Sequence, residues 1–354
     1  MAVILMIEAA RPEWITIRPS PLAELCAALH ALDEPEHHPE SGAWLSVVHK
    51  EFTDDLLTRA TVWAPLWGAF RARYLLPLTT GPERSLDAEL AEVARLPVDA
   101  FAALTLEALI GKNRAAGEPS QDPTEVLRRL RLISLRRYDL GLRLIEDPAR
   151  FRDELLEFLA AFGSTLFDKE WRRVRADVEA DTQSRQRQLH LHGVAAAFDG
   201  IGTVPDDDPP RVIVEKLYHA TARLDERTPG VLVPSVHGAP HVVAKHAPGF
   251  PVVVQYPVLQ TSAPVSVEEA QRRLAVLADP TRLRICQNIL RHPAATAELA
   301  ARLGMTSPQV SRHLRQLREA GLVSTHRHGA AVYYRLNVEA IGRLGPDLLA
   351  GLHH

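Results

Sequence analysis

Residues 277–336 constrain the fold more than any other part of this 354-residue chain. Three short segments with apolar residues at helical spacing are followed by two runs of β-forming residues around a glycine. Side chains suited to capping helix N-termini begin the three segments: Asp279, Thr296 and Thr306. Gly304 and Gly321 follow the second and third segments, where a left-handed residue commonly ends a helix. The stretch therefore predicts three consecutive helices and a β-hairpin.

The third of these helices separates into two faces. It opens with a T-x-x-Q capping box formed by Thr306 and Gln309. Val310, Leu314 and Leu317 fall on one face at about 100° per residue. The opposite face carries small, polar or basic side chains, which suit phosphates and base edges in the DNA major groove. With the basic hairpin that follows, the pattern predicts a winged helix-turn-helix.

The segments LADPTRLRI, AELAARLGMTSPQVSRHLRQLREAGLV and YYRL resemble the winged-helix domain of ArsR/SmtB-type transcriptional regulators. The resemblance covers about residues 272–340 and implies that the third helix reads DNA and that the protein works as a dimer. Together with the helix faces and the hairpin, it predicts these contacts with double-stranded operator DNA: Thr306, Ser307, Gln309, Ser311, Arg312, His313, Arg315, Gln316, Arg327, His328 and Arg335.

Charge is unevenly distributed along the chain. Residues 266–354 contain twelve arginines, no lysine and seven acidic residues, for a net charge of +5, whereas residues 1–265 carry −8. A basic module on an acidic body is typical of nucleic-acid binding confined to one end. This distribution disfavours a winged helix used only for protein contacts. The boundary between the two domains is expected in TSAPVS, at 261–266.

Metal-binding residues do not occur where ArsR/SmtB-type proteins carry them. A Cys-x-Cys motif often precedes the recognition helix in that family, but this chain has Ala-Thr-Ala at 295–297. Other members use acidic residues and histidine on the last helix, and the order of Asp347, His353 and His354 does not match them. Without soft ligands at workable spacing, we predict no metal and no other cofactor.

The final helix predicted for 338–352 is interrupted by Gly342 and by Gly345-Pro346. Proline removes a backbone donor and clashes with the preceding turn, which makes this helix a poor dimerisation element. Dimerisation is therefore expected to depend partly on residues 1–265.

Residues 1–265 predict a mostly helical domain with a small β-sheet, so the fold class is mainly α (α+β). Short strands are expected within 3–18, as a β-pair, and within 212–257. Breaks at proline and glycine delimit the expected helices: 21–32, 44–75, 86–95, 98–116, 123–146, 148–162 and 166–198. Ser20 is expected to cap the first of them.

Nothing in the sequence indicates a membrane protein. No run of eighteen apolar residues occurs, and the N-terminal residues lack the basic flank of a secretory signal. The two cysteines, Cys26 and Cys286, fall on apolar helix faces in different domains, which suits a reducing compartment. A cytoplasmic protein without membrane contact is predicted.

Aromatic residues recur at helical spacing in the first half of the chain: Trp63, Trp67, Phe70 and Tyr74. Such a stripe is most typical of a core. It also fits the wall of an apolar cleft for an organic effector, and both interpretations stay open.

Histidines in the first domain match no known metal or catalytic spacing. His219, His237, His241 and His246 are candidates to converge, although scattered surface positions are favoured. His30, His37, His38 and His49 form a second loose group. No nucleophile elbow, phosphate loop or dinucleotide-binding glycine pattern occurs, so an enzyme is not favoured.

The segments ITIRPSPLAEL, LVPSV and VVVQYP resemble an uncharacterised domain found beside ArsR-type winged helices in actinobacterial regulators. We predict a homodimeric transcriptional repressor, in which residues 1–265 sense a non-metal, organic effector and contribute to dimerisation. The alternative is an enzyme or a protein-interaction module tethered to DNA by the winged helix.

Overall fold

The computed structural model forms two compact units, residues 1–260 and 261–354. It describes the chain except for residues 1, 39–40, 52–53, 69, 112–121, 206–207, 217, 259–266, 291–292, 329–330, 338–339, 342–343 and 345–354. The first unit combines helices with two small sheets, and the second combines short helices with one sheet. The predicted fold class, mainly helical with small sheets and a C-terminal winged helix, is confirmed.

Several helices of the first unit begin at side chains that accept a backbone hydrogen bond. The helices are α1 Pro21–Asp33, α2 Gly42–Glu51, α3 Asp54–Trp63, α4 Leu86–Ala94, α5 Val98–Ile110, α6 Pro123–Ile133, α7 Leu135–Glu146, α8 Pro148–Phe162 and α9 Asp168–His192. The Ser20 hydroxyl accepts from the Ala23 amide at 3.2 Å, as predicted. At the start of α8, the Asp147 carboxylate accepts from the Arg150 amide at 2.9 Å. Such caps satisfy amides that have no partner inside the helix.

The single helix predicted for residues 44–75 is wrong. Residues 52–53, between α2 and α3, lie outside the described residues, but α3 ends at Trp63, before a short 3-10 turn that contains Pro65. Proline lacks a backbone N–H and its ring clashes with the preceding turn, so it ends a regular helix. Trp67 and Tyr74 therefore lie beyond the helix, where both are fully buried in the core.

Three other predicted helices are divided or shorter. The pattern at 123–146 gives α6 and α7, because Ser134 is extended and its hydroxyl accepts from the Arg137 amide at 3.2 Å. The helix predicted for 98–116 ends before Gly111, with a φ of 75°. The helix predicted for 166–198 spans 168–192 and ends before Gly193, with a φ of 83°. Only glycine adopts such angles readily, so these residues stop regular helices.

Strands of the first unit form two sheets rather than one. They are β1 Ala2–Met6, β2 Ile15–Ile17, β3 Arg211–Glu215, β4 Ala220–Arg223, β5 Gly230–Ser235, β6 Val243–Lys245 and β7 Val252–Pro257. The sheet orders are β3-β1-β4 and β2-β5-β7-β6, and β2, β5 and β7 run parallel. The β-pair predicted within 3–18 is therefore wrong. β3 and β4 occupy both edges of β1, and β2 pairs with the fully buried β5.

Aromatic side chains fill the interior of the helical part. The Phe158 ring lies 6.0 Å from Trp67 and 5.8 Å from Phe162, measured between ring centroids. A second hydrophobic cluster, which includes Leu5 and Phe198, contains side chains from the strands of both sheets. None of the helices described is long and apolar enough to cross a membrane.

The second unit follows the predicted order of elements. They are α10 Val267–Leu277, α11 Pro280–Ile289, β8 Ala294–Ala295, α12 Thr296–Leu303, α13 Ser307–Glu319, β9 Val323–His328 and β10 Ala331–Leu336. The Asp279 carboxylate caps α11 by accepting from the amides of Thr281 and Arg282 at 2.8 and 3.0 Å. β9 and β10 form the antiparallel hairpin, with β8 on the free edge of β10.

Two details of the second unit differ from the prediction or lie beyond it. Ala295, rather than Thr296, occupies the N-cap position of α12, and its amide donates to the Glu298 carboxylate at 3.4 Å. The final helix predicted for 338–352 falls almost wholly outside the part of the chain that the structure describes.

A buried ion pair joins the end of β2 to α4. Arg18 and Glu89 are each 3% exposed, and Arg18 Nη1 lies 3.0 Å from Glu89 Oε1. Glu89 Oε2 also accepts from the Ser20 hydroxyl and the Leu22 amide, both at 2.9 Å. Burial raises the pKa of Glu89, while the Leu22 amide and Arg18 act against that change. Such a charge is tolerated only while its partners are present.

We expect Arg18→Met to lower the free energy of unfolding by about 3–5 kcal/mol, because Glu89 would stay buried without its cation. Urea denaturation followed by circular dichroism measures the change. Arg172→Met is the matched control, since it removes an exposed pair with Asp168 at 2.9 Å. Its expected cost is below about 1 kcal/mol. Equal costs in the two variants would contradict the assignment.

Candidate nucleic-acid interface and histidine-lined cavity

α13 has one buried face and one exposed face. Val310, Leu314 and Leu317 are completely buried against the rest of the second unit. Arg312 and Arg315 are exposed, together with the predicted contact residues Ser307 and Ser311. The apolar face holds the helix in place, and the exposed face offers two guanidinium groups and two hydroxyls to a ligand.

Other predicted contact residues of α13 are engaged within the unit. Gln309 Oε1 accepts hydrogen bonds from the amide and the hydroxyl of Thr306, both at 2.9 Å. Gln316 Oε1 accepts from Arg282 Nη1 at 2.6 Å, and His313 is half-buried. These contacts fix the beginning of α13 and connect its later turns to α11.

The hairpin adds a further cation. Arg335 is exposed on β10, opposite Ser324 in the antiparallel register. Arg327 and His328 are the last two residues of β9, and the turn at 329–330 lies outside the described residues. α13 and the hairpin thus carry the predicted contact residues on two neighbouring elements of one small unit.

A cavity of about 1030 Å³ opens in the first unit. Its wall collects histidines from the end of α1, the turn that follows it, and the segments around β3 to β6: His30, His37, His38, His219, His237 and His241. The His38 ring centroid lies 4.9 Å from that of His30 and 5.1 Å from that of His241. From the sequence, these histidines fall into two separate groups, because no local pattern in the sequence connects them.

The environment opposes protonation of two of these histidines, His30 and His241. Burial, together with Arg71 and His38, lowers the pKa of His30 to about 3. Burial and His38 also lower the pKa of His241. His38 Nδ1 lies 2.6 Å from the Ala239 carbonyl oxygen, so this nitrogen carries the proton and donates. Neutral rings supply donors and acceptors without adding charge. Within the described chain, no three histidine, cysteine or acidic side chains are arranged to hold a metal ion.

His237 connects the cavity wall to buried polar groups. Its Nε2 lies 2.8 Å from Glu170 Oε1, and its Nδ1 lies 2.9 Å from Ser41 Oγ. Burial would raise the pKa of Glu170, but hydrogen bonds from Arg173 and His237 hold it at about 2. A serine, histidine and carboxylate in series can form a nucleophile. Ser41 is only 3% exposed, however, and does not line the cavity, so the series serves to position His237.

Among the four aromatic residues predicted as core or cleft wall, Phe70 is the one that lines the cavity. Trp63, Trp67 and Tyr74 are at most 4% exposed and pack in the helical core. The four residues do not form one stripe, because the helix break at Pro65 removes the helical spacing on which that prediction was based. The cleft wall predicted from these residues is thus reduced to one of them.

Two family models match the chain. One, described as a family of unknown function (DUF5937), matches residues 1–262. The chain belongs to the DUF5937 family. The other, described as a helix-turn-helix domain, matches residues 277–326. In this DUF5937 protein, the cavity lies within the first matched region and α13 within the second.

Characterised relatives match the C-terminal part of this DUF5937 protein. The transcriptional regulator KmtR of Mycobacterium tuberculosis is 37% identical over 79 residues, which are 22% of this chain and 61% of KmtR. The chain thus spans less than two thirds of KmtR. The transcriptional regulator CmtR of Mycobacterium bovis is 42% identical over 88 residues, which are 23% of this chain and 75% of CmtR.

Solved structures match the same part. An ArsR-like transcriptional regulator from Rhodococcus sp. RHA1 is 26% identical, with a TM-score of 0.23, and the match covers 23% of this chain and 78% of that chain. The C-terminal helix-turn-helix of this DUF5937 protein is of the ArsR type, as its sequence predicted.

His30 makes the stability of the first unit, hereafter the DUF5937 unit, depend on pH. An unperturbed histidine takes up its proton near pH 6.5, whereas folded His30 does so near pH 3. Between these values the unfolded state binds the additional proton, so stability falls as the pH is lowered. Wild type should therefore lose about 2 kcal/mol more than His30→Gln between pH 7 and pH 5. Guanidinium denaturation at both pH values measures this, with the exposed His190→Gln as control. A wild type and a His30→Gln variant with the same pH dependence would refute it.

Proposed function

We propose that this protein is a sequence-specific, DNA-binding transcriptional regulator of the ArsR type that acts as a repressor. One observation carries the proposal. α13 exposes Arg312 and Arg315 on one face while Val310, Leu314 and Leu317 anchor the other. An α-helix fits the major groove, where arginine makes paired hydrogen bonds with guanine. The regulators KmtR and CmtR, similar to this chain over the same region, support the proposal.

In this proposal the DUF5937 unit senses an organic effector, and the histidine-lined cavity supports that role. Its volume of about 1030 Å³ is of the size that holds a small organic molecule. Its wall combines an aromatic residue, Phe70, with several polar groups, which is typical of ligand sites. A ligand that favours the DNA-free arrangement of the protein over the DNA-bound one would lower operator affinity.

We also propose that the regulator is a homodimer. Leu274, Leu283 and Leu290 of the second unit are 40%, 48% and 54% exposed, which is apolar surface that a second copy would cover. Pro346 disfavours a long C-terminal helix as the dimerisation element, and this sequence argument supports a contribution of the first unit to the pairing. Sedimentation of the full chain at micromolar concentration tests the proposal, and a monomeric protein would contradict it.

The DNA-binding assignment predicts different consequences for α13 and the hairpin. An operator is first selected with the full chain from a random duplex library. Arg312→Ala and Arg315→Ala should then cost about 1–3 kcal/mol on the operator and less on random duplexes. Arg335→Ala should weaken all duplexes alike and reduce the slope of log K against log salt by about 1.

Fluorescence anisotropy across a salt series measures these affinities. Arg172→Met, an exposed arginine in the first unit, is the control and should bind as wild type. Failure to enrich any duplex would refute the proposed function. Equal losses on operator and random duplexes in all three arginine variants would refute the assigned roles.

We expect zinc and chelators to leave operator affinity unchanged. The position of the Cys-x-Cys motif holds Ala-Thr-Ala at 295–297, which offers no thiolate. Operator titrations with EDTA and with added zinc, together with metal analysis of the purified protein, check this. A stoichiometric metal that abolishes operator binding and is lost in His241→Ala would overturn the expectation.

A further inference from the structure

Arg71 is a buried guanidinium in the wall of the histidine-lined cavity. It is 3% exposed, and within the described residues it makes no ion pair with a carboxylate at 4.0 Å or less. Its Nη1 donates to Gln255 Oε1, whereas its buried Nε has no hydrogen-bond partner among those residues. This guanidinium lines the cavity and thus has N–H donors without a partner among the described residues.

The other two buried arginines of the first unit have more partners, although the Nε of each also lacks one among the described residues. Arg18 pairs with Glu89 at 3.0 Å. Arg73 donates to the carbonyl oxygens of Pro77 and Pro251 at 2.9 and 2.8 Å. A buried cation without such compensation is costly. Arg71 lines a cavity, where an anionic ligand would supply this compensation.

A second cation, Lys216, lies in the same wall. Burial and the neighbouring Arg71 lower the pKa of Lys216 to about 8, so the ammonium group remains largely charged at neutral pH. Both residues line this cavity, and the effect of Arg71 on Lys216 is that of a like charge. An anion between them would remove the repulsion.

No carboxylate of the described residues contacts these cations, although Glu24 acts on Arg71 from a longer distance. Burial lowers the pKa of Arg71, while Cys26 and Glu24 act in the opposite direction. The Glu24 carboxylate is already engaged, however, by the Ser235 hydroxyl and two backbone amides. Glu34 and Glu215 also line the cavity, at half-exposed and exposed positions where water screens them. The less exposed charges that line the cavity are thus the two cations.

Aromatic and aliphatic groups complete the wall. The rings of Phe70 and Tyr218 lie 5.9 Å apart between centroids, and Val242 and Val243 line the cavity beside them. The Tyr218 hydroxyl donates to the Ala244 carbonyl at 2.8 Å, which fixes this ring. A ligand that fits both parts of the wall has an apolar ring as well as a negative charge.

We propose that the cavity binds an aromatic carboxylate, with its carboxylate on Arg71 and Lys216 and its ring against Phe70 and Tyr218. A carboxylate matches the paired donors of a guanidinium. A single charge fits better than two, because a dianion is more costly to desolvate and would also face Glu34. The inference rests on the proposed function only for its regulatory consequence, since ligand binding is measured without DNA.

A charge series of one ring system tests the ligand class. Isothermal titration calorimetry of the full chain compares benzoate, 1-naphthoate and indole-3-carboxylate with 1-naphthamide and 1-naphthylmethylamine. We expect one carboxylate site per chain and at least about tenfold weaker binding of the amide, because a charge-assisted hydrogen bond is lost. The amine should not bind. Equal affinity of amide and carboxylate, preferred binding of the amine, or no saturable binding of any carboxylate would overturn the proposal.

Variants then test the residues. Arg71→Gln should abolish carboxylate binding, and Lys216→Met should weaken it by about fivefold or more. Lys50→Met, an exposed lysine outside the cavity lining, is the matched control and should leave affinity unchanged. If Arg71→Gln does not fold, Lys216→Met decides. Unchanged carboxylate affinity in a folded Lys216→Met variant would refute the proposed site.

Operator affinity of the same samples separates this inference from the proposed function. Carboxylate binding without operator binding would refute only the regulator, and operator binding without carboxylate binding would refute only the ligand class.

Discussion

The buried carboxylate of Glu24 joins α1 to the segment that brings His237 to the cavity wall. It lies on α1, is 1% exposed, and accepts hydrogen bonds from the Ser235 hydroxyl and the amides of Val236 and His237 at the end of β5. A carboxylate out of water is stable only when such donors surround it, so α1 and the end of β5 cannot separate without a large penalty. This contact fixes the backbone of His237, whose ring is then oriented by Glu170 and Ser41.

Local residues determine most of what the sequence could predict. Helix starts and stops depend on one or two side chains, and Ser20, Asp279, Gly304 and Gly321 act as predicted. The winged helix is short and built almost entirely from such local rules, so its order of elements and its buried face were both predictable. The failures at Pro65 and Ser134 are also local, since each interrupts a periodic pattern that otherwise continues.

Contacts between distant segments account for what the sequence did not reveal. β1 has the residues of a strand, but nothing in it specifies β3 and β4 as its neighbours rather than β2. The histidine cluster has the same origin. His30 and His38 come from α1 and its following turn, and His241 comes from the loop before β6. Histidine carries no spacing rule across such distances, so only the folded chain shows that these rings meet.

Arginine illustrates how the environment, rather than residue type, determines function in this chain. Arg18 is buried against Glu89 and holds elements of the first unit together. Arg71 is equally buried but lacks a carboxylate at contact distance among the described residues, and it lines a cavity. Arg312 and Arg315 are exposed on a basic unit, where water solvates their charge and, in the proposed function, DNA phosphates and bases would meet it. The net charge of −8 on residues 1–265 thus coexists with an internal positive site, because buried groups respond to their immediate neighbours rather than to the total charge of the domain.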